Sequence, residues 1–156
     1  MDQAGSEGWG RGEPSVRDLF RHAVASSDAS AMRTGVERML GLTDGGSLSP
    51  DAEFELRHPD FVMEMPQSGE RVRGRVAMRE MQEAFPTPPQ SMVLRRVVGA
   101  GRVWVVEGEV DYGADPWRAV VVLELDEDGT ILRETRYYVQ STEAPPWRSS
   151  WVEPID

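Results

Sequence analysis

Four strand-like runs fill the second half of the chain: Ser91 to Val98, Arg102 to Tyr112, Trp117 to Asp126 and Thr130 to Gln140. Each is rich in Val, Thr or aromatic residues. Gly99-Ala100-Gly101, Gly113 to Pro116 and Asp128-Gly129 separate them. Such runs joined by Gly- and Asp-bearing turns predict a meander of antiparallel hairpins. The turns also predict faces, because residues paired across a hairpin share a side of the sheet. A loop over 113–116 pairs Tyr112 with Trp117, Val110 with Ala119, Gly108 with Val121, Val106 with Leu123 and Trp104 with Leu125. That face is apolar and reads as the buried one. The opposite face sets Asp111 against Arg118 and Glu109 against Val120.

The Asp128-Gly129 turn extends the register. It pairs Glu127 with Thr130, Leu125 with Leu132 and Glu124 with Arg133, and then Leu123 with Glu134, Val121 with Arg136 and Ala119 with Tyr138. Glu134, Arg136 and Tyr138 therefore share the inner face with Trp104, Val106, Tyr112 and Trp117. Buried charges cost several kcal/mol unless paired and hydrogen-bonded. Two readings stay open. One is a structural Glu134–Arg136 network or a sheet edge. The other is a pocket whose polar groups meet a ligand. Gly99-Ala100-Gly101 permits more than one loop length, so the phase of Arg95 and Arg96 is open.

Ahead of the meander the periodicity is helical. Ser15 caps a helix with Val16, Leu19, Phe20, Ala23 and Val24 on one face, and Asp18 completes a capping-box pattern. A second helix carries Met32, Val36, Met39 and Leu40 and ends at Gly41. Asp44 to Pro50 reads as a loop. Ser49-Pro50-Asp51 starts a short helix, which stops near His58-Pro59. Phe61 to Met65 reads as a strand, 66–70 as a turn and Arg71 to Arg73 as a return strand. A further helix over Gly74 to Phe85 has Val76, Met78, Met81, Ala84 and Phe85 on one face, and Pro86 and Pro88-Pro89 stop it. Residues 1–14 hold four Gly and no periodicity and read as a flexible tail before a single domain over 15–156. The closing segment Ala144 to Trp151 is expected to pack irregularly on the sheet. Helices first and a meander after is an α+β pattern.

Composition removes several chemistries. At 156 residues the chain fits one domain with a real core. With no Cys there is no disulfide, thiol nucleophile or iron–sulfur cluster. All 17 basic residues are Arg, so a Schiff-base lysine and a Walker phosphate loop are excluded. His22 and His58 are the only histidines, too few for a three-histidine metal site. Glu107, Glu109 and Asp111 fall on the outward face without further ligands, so no metal is expected. The net charge of −10 disfavours nucleic acid. No run is long enough for a membrane helix and no secretory h-region opens the chain, so a cytoplasmic location is expected.

The segment Pro66-Gln67-Ser68-Gly69-Glu70-Arg71-Val72-Arg73-Gly74 ahead of a helix resembles the SnoaL-like branch of the nuclear-transport-factor-two-like superfamily. So does Arg133-Glu134-Thr135-Arg136-Tyr137-Tyr138, followed by Glu143-Ala144-Pro145-Pro146-Trp147-Arg148. The resemblance covers about residues 30–153. It implies a cone: a strongly curved, mostly antiparallel sheet packed on three to four helices and enclosing an apolar pocket. Members include ketosteroid isomerases, polyketide cyclases, epoxide hydrolases, dehydratases and binding or scaffold domains, so fold alone does not give function. Catalytic members often carry an Asp or another polar residue just before an aromatic on the last long strand. Arg136 holds that place here.

The expected function is therefore binding of a small hydrophobic molecule in an aromatic-lined pocket. If catalytic, it is cofactor-free acid/base isomerisation, cyclisation or dehydration of a carbonyl-bearing substrate. The alternative is a non-catalytic ligand-binding or dimerisation domain. His58 or Asp60 is a candidate base, and Glu134 a candidate acid/base. Their plainer readings are a helix-end histidine, a turn aspartate and a salt-bridged glutamate. Arg136 and Tyr138 are candidate stabilisers of a substrate oxygen. Trp104, Val106, Tyr112, Trp117 and Met65 are candidate ligand walls, with core packing as the competing role. Val103, Val105, Val120 and Val122 form an outer apolar patch that suits a homodimer through the convex sheet face.

Overall fold

The computed structural model describes residues 12–43, 45–46, 48–114 and 116–155. Most of the expected tail thus lies outside the described residues. Helices α1 (Val16–Ser26) and α2 (Ala29–Met39) form an antiparallel pair. The α1 capping box is present: Asp18 N donates to Ser15 Oγ at 3.0 Å, and the Asp18 carboxylate accepts from Ser15 N. Asp28 caps α2 through Ala31 N. The two helices cross closely at Gly35, where a Cβ would lie 2.6 Å from the Phe20 ring.

Ser49 caps α3 (Pro50–Leu56), with Pro50 in its first turn. Strand β1 (Arg57–Met65) begins directly afterwards, earlier than the Phe61 start expected from sequence. A turn leads to β2 (Glu70–Arg73), then α4 (Arg75–Glu83). The meander is β3 (Ser91–Ala100), β4 (Val103–Asp111), β5 (Trp117–Leu125) and β6 (Ile131–Val139). The six strands form one curved sheet in the order β2-β1-β6-β5-β4-β3. All neighbouring pairs are antiparallel except β1 with β6.

The helical pair covers the inner face of the sheet. Phe20, Met32 and Val36 join Phe61, Met63, Trp104, Leu123, Leu125 and Ile131 in one core. On α4 only Met78 reaches this core; Val76, Met81 and Phe85 are exposed, which corrects the broader apolar face read from the helical period. The short α4 lies over an edge of the sheet, so a single row of its side chains meets the interior.

Registers test the hairpin reading directly. In β5–β6, Ala119↔Tyr138, Val121↔Arg136, Leu123↔Glu134 and Glu124↔Arg133 pair as expected. A bulge then sets Leu125 opposite Ile131 rather than Leu132. In β4–β5 the observed pairs are Val110↔Trp117, Gly108↔Ala119, Val106↔Val121 and Trp104↔Leu123. The expected register is thus displaced by two residues, and the loop runs over 111–116. An even displacement keeps every side chain on its face, so the inner-face assignments stand. Glu109, not Asp111, lies opposite Arg118. In β3–β4 a bulge between Leu94 and Arg96 puts Arg95 and Arg96 both on the outer face, against Glu109 and Glu107.

The 126–130 turn is built by Asp126, whose carboxylate accepts from Asp128 N, Thr130 N and Thr130 Oγ1. Gly129, at φ 82°, seats this turn on α1, where a Cβ would lie 2.7 Å from Arg17 O and Arg21 N. The C-terminal segment departs from expectation. Trp147 and Trp151 are 74% and 79% exposed instead of packing on the sheet.

Candidate functional site: an inner-face arginine, glutamate and tyrosine cluster

Pairing across the sheet arranges the inner face in rows. The deepest is Met63–Glu134–Leu123–Trp104, and every member is buried. The next holds Arg136, Val121, Val106 and Val97, and the next Tyr138, Ala119, Gly108 and Leu94. Trp117, Val110 and Met92 form the last. Along the β6 side enclosure falls: Arg136 is 21% exposed and Tyr138, with Ala119, Gly108 and Leu94, is half-buried, while Val110 in the last row stays buried. The inner face therefore opens toward the Tyr138 end.

Glu134 is the hinge of the cluster. Its side chain is 2% exposed, and its Oε1 accepts from Arg136 Nε at 2.8 Å and Nη2 at 2.6 Å. Its Oε2 meets Arg57 Nη2 at 3.5 Å. Burial by itself pushes the Glu134 carboxyl up, but the charges of Arg136 and Arg57 and their hydrogen bonds outweigh it and hold the group below the ordinary carboxylate range. Glu134 stays ionised, with its oxygens committed to two arginines. Burial opposes the charge on Arg136 too, and the Glu134 carboxylate overrides it, raising that guanidinium. Arg136 Nη1 turns along the strand toward Tyr138 and donates to its hydroxyl at 3.4 Å. The Tyr138 proton has no acceptor among the described residues. Tyr112 stands in the same electrostatic neighbourhood: burial first, and then Tyr138, push its hydroxyl up, against the opposing charge of Arg136. Its ring meets Phe85 edge-on at 5.9 Å, so the end of α4 closes over this rim.

The sequence-based candidates thus separate into groups. Glu134, Arg136, Tyr138 and Tyr112 come together, and half-buried Trp117 and Met65 flank the same open rows. Trp104 and Val106 are buried, and Trp104 Nε1 donates to Gly101 O at 2.8 Å, an anchor for the β3–β4 turn. His58 and Asp60 lie elsewhere, in the irregular stretch of β1 between the Arg57↔Ile131 and Val62↔Arg133 pairs. His58 Nδ1 accepts from Asp60 N at 3.0 Å, and the Asp60 side chain is exposed. His58 faces the 126–130 turn, where its charge helps to lower Asp126. Strand β6 carries the cluster away from that turn at about 3.3 Å per residue, so Tyr138 is roughly 20 Å from the His58 end.

Sequence reasoning missed Arg57. It is 4% exposed, and its Nη1 donates to Glu53 Oε2 at 2.9 Å and to Gln82 Oε1 at 3.5 Å. Its guanidinium lies 5.2 Å from the centre of the Phe61 ring, and its Nε has no hydrogen-bond partner. The signal was an unbalanced account of charge: a glutamate placed inside by register needs more than one partner, and Arg57 follows the last buried residue of α3.

A curved mixed sheet wrapped on a helical pair, with a polar cluster on its inner face, is the architecture of the nuclear-transport-factor-two-like proteins. Solved structures share it. An NTF2-like protein of unknown function from Burkholderia xenovorans aligns with TM-score 0.63 at 27% identity, covering 91% of this chain and all of the other. A proposed ketosteroid isomerase from Kribbella flavida gives 0.64 at 23%, covering 90% of each chain. A steroid delta-isomerase from Pseudomonas aeruginosa gives 0.57 at 18%, covering 71% of this chain and 79% of that one. Identities this low in the two isomerase-labelled structures speak for the fold alone. No curated protein matches significantly. Residues 16–134 match the SnoaL-like domain model, and the chain belongs to that family.

Proposed function

We propose that the chain binds a small hydrophobic molecule bearing an oxygen acceptor, at the open end of the inner face. The observation that carries this reading is the orientation of Arg136. Glu134 holds its Nε and Nη2 from behind, which leaves Nη1 and the Tyr138 hydroxyl as neighbouring donors toward the open rows. A guanidinium fixed this way is a preorganised oxygen binder. Tyr112, Trp117, Phe85 and Met65 supply the apolar surroundings. Binding is favoured over turnover, because Glu134 is engaged as a carboxylate and His58 and Asp60 stand at the other end of β6. Acid/base isomerisation, cyclisation or dehydration at this site would need a base supplied from outside the cluster, and the proposed binding needs no cofactor.

The test is a fluorescence titration against steroids, aromatic polyketide-like compounds, terpenoid epoxides and aliphatic acids. Saturable binding by the native protein, weakened about tenfold or more by Arg136→Met, is expected. Absence of binding across the panel, or equal binding by Arg136→Met, overturns the reading. A second reading rests on a separate observation: Val93, Val98, Val103, Tyr137 and Val139 are exposed on the outer sheet face. We propose a homodimer through that face, and a monomer by light scattering at micromolar concentration would remove it.

A further inference from the structure

We propose that the cleft between α3 and α4, which adjoins the inner-face cluster through Arg57, is a second site and that it takes a small organic carboxylate. The cleft has a volume of about 200 Å³. That is the room of roughly six waters at about 30 Å³ each, enough for a benzoate-sized molecule. Arg57, Arg75 and Arg79 line it with Leu48, Pro50 and Phe54, and the carboxylates of Glu53 and Glu83 and the amide of Gln82 complete the wall. Cations and an apolar floor in one small enclosure are the chemistry of an acid with a compact hydrophobic body.

Arg75 is held in place by its Nη1, which donates to Arg57 O at 3.1 Å and to Phe54 O at 3.5 Å, and the exchangeable partners of Arg75 and Arg79 are exposed carboxylates. The Arg75 and Arg79 guanidinium carbons sit 4.2 and 5.1 Å from the centre of the Phe54 ring, which fixes their planes. The carboxylate nearest Arg75 is Glu55 at 3.6 Å, a side chain 69% exposed. Arg79 meets Asp51 at 2.5 Å and Glu83 at 3.7 Å, and both carboxylates are largely in solvent. Solvent-facing pairs of this kind hold weakly, so an incoming carboxylate can take their place. The acidic group deeper in the cleft, Glu53, already accepts from Arg57 and from Gln82 Nε2 at 2.7 Å. Arg57 is buried and committed to Glu53, Gln82 and Glu134, so Arg75 and Arg79 are the donors left for a ligand.

The experiment is calorimetric titration of the full chain with benzoate, with neutral benzamide and inorganic phosphate as comparisons. Saturable benzoate binding is expected, weakened about tenfold or more by Arg79→Gln and by Arg75→Gln and unchanged by Arg95→Gln on the outer face. Four results overturn the proposal: no saturable binding at millimolar benzoate, equal binding by benzamide, equal binding by phosphate, or a loss caused by Arg136→Met and not by Arg79→Gln. The last would move benzoate to the inner face. Failure of the inner-face reading, in turn, leaves the Arg79→Gln effect in place.

Discussion

The two faces of the meander carry the same pair of residue types under opposite conditions. On the outer face Arg95 meets Glu109 at 2.9 Å and Arg96 meets Glu107 at 2.6 Å, with both arginine side chains more than half exposed. On the inner face Arg57, Glu134 and Arg136 make similar contacts in an enclosed interior. Exposed pairs contribute about 0–1 kcal/mol, because water competes for both partners. Inside, removing one member strands the others without solvent, and the loss reaches several kcal/mol. Equal geometry therefore does not mean equal consequence. The inner cluster constrains what the fold must satisfy, while the outer pairs sit in solvent and constrain it little.

The sharpest way to break this comparison is Arg57→Met. It leaves Glu134 with one partner and Glu53 with none of its buried cation, and we expect a loss of about 3–5 kcal/mol in denaturant unfolding. A loss under about 1 kcal/mol would mean that the cluster is hydrated and no different from the outer pairs. Acid titration gives an intermediate effect. Glu134 has a folded-state pKa below its unfolded value near 4.3, so its contribution is fully present above that pH and disappears as pH falls through the folded value. Unfolding midpoints should stay level from about pH 7 to 5 and drop below about 4. The drop should be shallower in Glu134→Gln; equal slopes in the two proteins would erase the distinction. The smallest effect belongs to Arg95→Gln, expected within about 0.5 kcal/mol of the native protein.

How far the sequence reached is decided by its turns. The β5–β6 register through Glu124 matches the one read from Asp128-Gly129 even though the turn is longer than two residues: Asp126 N donates to Thr130 O, and the bulge at Leu132 restores the parity that places Glu134, Arg136 and Tyr138 inward. The loop after β4 had no such signature. Asp111 stays paired with Ser91 on β3 but not with β5, and its carboxylate accepts from Gly113 N at 2.7 Å, so the loop is longer and the β4–β5 register slides by two. Arg57 was invisible for a different reason. Arg57 shares the parity of the buried Phe61 and Met63, but a strand read as starting at Phe61, after a helix running to His58-Pro59, leaves Arg57 in the helix and its parity uncounted. The cleft between α3 and α4 depends on how two short helices approach each other, and no local pattern specifies that.

The seating of the 126–130 turn on α1 also bears on how the chain assembles during its synthesis. Arg17 Nε donates to Asp128 O across 111 residues of chain, and Gly129 lies against the backbone of the same helix. Helix α1 thus finds this partner only when the last hairpin, β5–β6, has emerged. Until then Leu123, Leu125 and Ile131 are missing from the core that Phe20, Met32 and Val36 join. At about 5–20 residues per second that interval lasts several seconds. Long-range closure of this kind slows folding, which makes the nascent helical pair the stretch of this chain with the greatest claim on a chaperone.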